Sequence, residues 1–217
     1  MKLKNINIFL IIFFCIIQNN FLNAKINNSI IVKVGNEIIT AHDVENEVKT
    51  ILMLQGLTLN QENINKVQNF AVQTLIRNSI KENEIKKYNE ESYNKIDLEK
   101  YLKRVSKSLN IEVFDLEEYF DLRGINYTSF VERYKNELKW NTLIFKLYKN
   151  QISLNTVEIE NELLIKIDEV KKNNTNQKLD LEKMKDAIIL KKKLEKLKLF
   201  SRTHFTTVES NTLINFE

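Results

Sequence analysis

Residues 31–48, IVKVGNEIITAHDVENEV, decide the fold. Two β-branched runs, Ile30 to Val34 and Glu37 to Ile39, flank Gly35-Asn36, where a glycine can take the positive φ that a tight turn requires; this predicts a short hairpin. Thr40-Ala41-His42-Asp43 then reads as a helix start, with the Thr40 hydroxyl and the Asp43 carboxylate able to satisfy free N–H groups of the first turn. Val44, Val48, Ile51 and Leu52 share one helical face behind it, and Gly56 supplies the stop.

Composition extends the helical reading outward from this stretch. The 217 residues contain no proline and three glycines, Gly35, Gly56 and Gly124, too few for an all-β fold with its many tight turns. Those glycines also lie too far apart for a G-x-G-x-x-G turn or a G-x-x-x-x-G-K-[ST] phosphate cradle. The periodicity predicts a second helix from an Asn60 cap to about Tyr88, with Ile64, Val67, Ala71 and Leu75 in its stripe. A third is capped by Asp97 and carries Leu98, Leu102, Val105 and Leu109. A short fourth runs from Val113 to Arg123 and ends at Gly124, and a fifth runs from Tyr127 to about Tyr148. Asn155 and Glu158 form a capping pattern for a sixth with Ile159, Leu163 and Ile167, and Ala187, Leu190, Leu194 and Leu197 define a last helix before a strand at Thr212 to Phe216. Between these last two helices, Lys171 to Lys178 (KKNNTNQK) is polar and without period, and reads as a linker.

The N-terminus reads as an address. Lys2 and Lys4 precede an apolar run from Ile6 to Ile17, interrupted by Asn7, and Ala24 supplies the small residue before an expected cut between Ala24 and Lys25. The run has 12 residues, whereas a bilayer span needs roughly 20. Removing residues 1–24 takes two lysines and no acid, so the remaining chain carries 33 − 2 = 31 basic against 29 acidic residues, without the concentrated basic excess of a nucleic-acid binder. The one cysteine, Cys15, lies inside the run, so the exported chain has no thiol; with His42 and His204 as its imidazoles, no metal site of the His/Cys type is expected.

Several segments together resemble the SurA family of periplasmic chaperones. Residues 31–48 resemble the family's opening hairpin and first helix; 110–144, NIEVFDLEEYFDLRGINYTSFVERYKNELKWNTLI, is similar to its short helix ending in Gly followed by a long helix. Residues 153–163 are similar to the stretch that closes its N-terminal domain, with Thr156 where a proline is usual, and 199–216 to its last helix and strand. The resemblance implies a mainly α fold: a multi-helix core with a short N-terminal β-hairpin, onto which the C-terminal helix and strand pack back. The domains would be a signal peptide at 1–24, a chaperone domain at 25–170, a linker at 171–178 in place of the family's parvulin-type prolyl isomerase domain, and a C-terminal helix and strand at 179–217 completing the same domain.

What the resemblance implies about function is an ATP-independent periplasmic holdase without isomerase activity. Its clients would be unfolded outer-membrane β-barrel proteins, with the barrel assembly machinery as a partner and no cofactor, metal or nucleic acid. Such a protein needs exposed apolar and aromatic surface rather than a catalytic group. Phe114, Tyr119, Phe120, Tyr127, Phe130 and Tyr134 cluster around Gly124 and are the candidate client contacts, although aromatics at helical spacing are more often core. The rival reading is an envelope scaffold with one folded partner, held to the inner membrane by an uncleaved Ile6 to Ile17 segment.

Overall fold

The computed structural model describes residues 29–172 and 180–217. The expected signal segment, its cut between Ala24 and Lys25 and most of the expected linker lie outside the described residues. Strands β1 (Ile30–Val34) and β2 (Glu37–Thr40) form the hairpin, and helices α1 (Ala41–Leu54), α2 (Gln61–Lys87), α3 (Lys95–Leu109), α4 (Leu116–Asp121) and α5 (Tyr127–Tyr148) follow. Then come α6 (Thr156–Lys172), α7 (Leu181–Ser210) and β3 (Ile214–Phe216). The chain is mainly helical, with one antiparallel sheet of order β2-β1-β3.

The caps fall close to where side-chain chemistry puts them. Thr40 and Asp43 make a full capping box: the Thr40 N–H donates to Asp43 Oδ2 at 2.9 Å and the Asp43 N–H to Thr40 Oγ1 at 3.2 Å. Asn60 accepts from the Asn63 N–H and Asn126 from the Ser129 N–H. Three boundaries differ from expectation. Asn94, not Asp97, caps α3, because its Oδ1 accepts from the Ile96 N–H while its amide donates to Asp97 inside the first turn. The expected Val113–Arg123 helix is divided into a 3-10 turn at Val113–Asp115 and α4. Lys171 and Lys172, expected in the linker, end α6.

Two cores result. The larger joins Val32, Val34 and Ile39 of the sheet to Leu52 of α1, Ile80 of α2, Trp140 of α5 and Phe205 of α7. The smaller gathers Val105, Leu116, Phe120, Ile125 and Phe130 where α3, α4 and α5 meet the end of α1. Buried polar contacts fasten α7 to α2 and α5. His204 sits within α7; its Nδ1 is 2.9 Å from the Tyr148 hydroxyl and its Nε2 3.1 Å from the buried Glu84 carboxylate. The Trp140 indole N–H donates to Ser201 Oγ at 2.8 Å. Glu84 cannot be left without donors at that depth, so these contacts fix where α7 lies along the other two helices.

The chain's two ends meet in the sheet. Val32 pairs with Phe216 and Val34 with Ile214, while Gly35, at φ +57°, donates its N–H to the Leu213 carbonyl at 2.9 Å and the Glu217 N–H to the Ile31 carbonyl at 3.1 Å. The terminal strand thus completes the hairpin with little apolar burial: Ile214 packs against the larger core, while Leu213 and Phe216 remain exposed. Main-chain bonds and the Lys33–Glu217 ion pair hold the strand, and Phe200, Phe205 and Val208 of α7 carry the packing beneath it.

Candidate functional site

The six aromatic residues expected to form one contact surface are divided between core, open surface and a cleft. Phe120 and Phe130 are buried, with ring centroids 4.7 Å apart, and belong to the smaller core, where Phe130 also meets the floor of the cleft. The reason is local: Gly124, at φ +60°, folds α4 back on the start of α5, so the inward aromatics of both helices face one another. Tyr127 is half-buried, edge-on to Phe120 at 5.4 Å, and burial pushes its phenol up from the usual range. Tyr119 is partly exposed beneath the Arg123 guanidinium, 3.4 Å from the ring centroid, beside a hollow that includes Leu57 and Leu59. Phe114 is 82% exposed and stands with Leu122, 76% exposed, among Glu117, Glu118 and Asp121. Tyr134 stacks on Tyr101 with centroids 3.6 Å apart.

The Tyr101–Tyr134 stack lines a cleft of about 400 Å³ between α1, α2, α3 and α5. Its walls are Ile51, Leu54, Phe130 and the two tyrosines, with Phe70 exposed at the rim. Charged side chains edge it. Arg133 is paired with the buried Glu47, and desolvation pulls its guanidinium down to about 10. Lys81 bonds Glu137 across from α2 to α5, and Arg77 lies 5.2 Å from the Phe205 ring centroid. Sequence reasoning did not find this cleft, since the residues that line it come from four helices and share no motif.

A second apolar surface lies on α6 and α7. At 30 residues, α7 is about 45 Å long, and its apolar line runs through Leu190, Leu194, Leu197, Ser201, Phe205 and Val208 at spacings of three and four. The C-terminal half of that line packs on the body; Leu190 and Leu194, on the same line, are 59% and 56% exposed. A different face of α7 meets α6. Ile188 is fully buried there, and Lys191 and Lys192 bond Glu158 and Glu162. These bonds hold both lysines above the usual ammonium range and Glu162 below the usual carboxylate range. Leu164 and Ile165 of α6 are exposed as well. Among the described residues no helix is long and apolar enough to cross a membrane. Neither a family model nor a curated protein matches the chain.

Proposed function

We propose that the protein is an ATP-independent chaperone that holds unfolded outer-membrane β-barrel proteins in the periplasm. Export rests on the character of residues 1–24, and the client class on the resemblance to the SurA family. The observation that best supports the reading is the continuation of the α7 apolar line at Leu190 and Leu194, which the described residues leave exposed. Solvated apolar groups spaced along a rigid helix offer an unfolded chain repeated weak contacts without a fitted pocket, which suits clients of varied sequence. The paired lysines and glutamates on the opposite face of α7 tie it to α6, so the helix that carries the apolar groups is not free of the rest of the chain.

The test is suppression of light scattering when an unfolded barrel protein is diluted into buffer without ATP. The mature chain should suppress it, and the Leu190→Ser/Leu194→Ser double variant should need several-fold more protein for the same effect at an unchanged melting temperature. Equal suppression by the variant would remove α7 from the reading, and no suppression by either protein would remove the chaperone function. Recovery of one stoichiometric folded partner from cells would favour the envelope scaffold instead.

A further inference from the structure

The cleft between α1, α2, α3 and α5 carries a positive charge that its own residues leave uncompensated. The carboxylates lining it, Glu47 and Glu137, are taken up by Arg133 and Lys81. Arg77, on the same lining, has no carboxylate within ion-pair distance among the described residues. Its guanidinium lies instead over the Phe205 ring, a contact that steadies the plane of the group while leaving N–H donors free for a ligand. The same lining includes the Tyr101–Tyr134 stack and the exposed Phe70.

One planar cation against an apolar wall is complementary to a ligand with an apolar body and a single carboxylate, which a guanidinium can bind through two parallel hydrogen bonds. The volume of about 400 Å³ suits one or two side chains. In an extended peptide adjacent side chains point to opposite faces and the next position on the same face stands about 7 Å along, so an internal acidic residue presents its charge either away from the apolar wall or well apart from the side chain held there. A C-terminal residue differs, because its side chain and its carboxylate leave the same Cα. We propose that the cleft binds the C-terminal end of a client chain, with the terminal aromatic or aliphatic side chain against Phe70 and the Tyr101–Tyr134 stack and the α-carboxylate on Arg77. This rests on the reading of the protein as a holder of unfolded chains, and adds to it a site that recognises a chain end.

The experiment uses the mature chain and a fluorescein-labelled hexapeptide ending in Phe, made as the free acid and as the C-terminal amide, with binding followed by anisotropy at physiological salt. The free acid should bind about tenfold more tightly than the amide. Arg77→Gln should bring the acid to the level of the amide and leave the amide unchanged, while Phe70→Ser should weaken both alike. Equal binding of acid and amide, an acid affinity untouched by Arg77→Gln, or binding of neither peptide would overturn the proposal. Light scattering on an unfolded barrel protein, run in parallel, separates the two readings: suppression without an acid–amide difference removes the chain-end site and leaves the holdase, whereas loss of suppression removes the holdase itself.

Discussion

Glu90 shows how much a single carboxylate holds in this fold. It follows α2, is 5% exposed, and accepts bonds from the Ser92 N–H, the Ser92 hydroxyl and, at 2.6 Å, the Lys146 ammonium of α5. The Lys146 bond, then the Ser92 hydroxyl, hold its carboxyl below the usual range. Because its folded pKa lies below the unfolded value, its stabilising effect is complete above the unfolded carboxylate range and is lost as pH falls through the folded value. Glu90→Gln should therefore cost about 1–3 kcal/mol at neutral pH, and the gap in unfolding free energy from wild type should close below about pH 4. Urea unfolding at pH 7, 5 and 3.5 measures it; a gap that stays constant with pH would mean that the ionisation of Glu90 is not what stabilises the fold, and no gap at pH 7 that the amide replaces the ionised group without loss. Nothing in the sequence near Glu90 marks it, since Lys146 is 56 residues away and an exposed Lys–Glu pair looks the same in a sequence.

At the scale of elements, what was legible depended on whether local chemistry was enough. Hairpin, capping box and the end of α1 at Gly56 follow from neighbouring residues, and all are present. The α7 line at Leu190, Leu194 and Leu197 was legible as an angle, because periodicity reports which side chains share a face. How far the body extends along that face is a property of α2 and α5, so the exposure of Leu190 and Leu194 could not be read. The second face of α7, turned to α6, was hidden for another reason: it is built from Ile188 with Lys191 and Lys192, and lysines that bond a facing helix resemble a solvated surface in sequence. The terminal strand joins the hairpin chiefly through main-chain bonds, with Ile214 its one side chain packed on the larger core, which the apolar pattern of Leu213, Ile214 and Phe216 does not show. A chain ending at Ser210 should thus lose amide protection in β1 by at least about tenfold, while the interior of α2 keeps its own, as hydrogen exchange would register. Unchanged protection at Val32 to Val34 would show that β1 and β2 stand without their third strand.

For the whole molecule, the arrangement joins a closed body to an extended surface. The sheet ties residues 30–40 to 214–216, the Glu84–His204–Tyr148 contacts and Trp140 fix α7 to the body, and the same helix then runs on with Leu190 and Leu194 exposed among the described residues. Of the six aromatics expected to contact clients, Phe120 and Phe130 instead form the smaller core. Helical spacing alone could not separate them from Phe114, because the fold-back at Gly124 decides which aromatics face inward. Exposed apolar groups were therefore easier to expect than to place. The most direct test of α7 as the holding surface is photo-crosslinking from position 194, with position 100 on the exposed polar face of α3 as the reference. Unfolded barrel protein should form adducts at 194 several-fold above those at 100, and the folded barrel should form none above that reference; equal adducts at both positions, or equal adducts with folded and unfolded barrel, would contradict it.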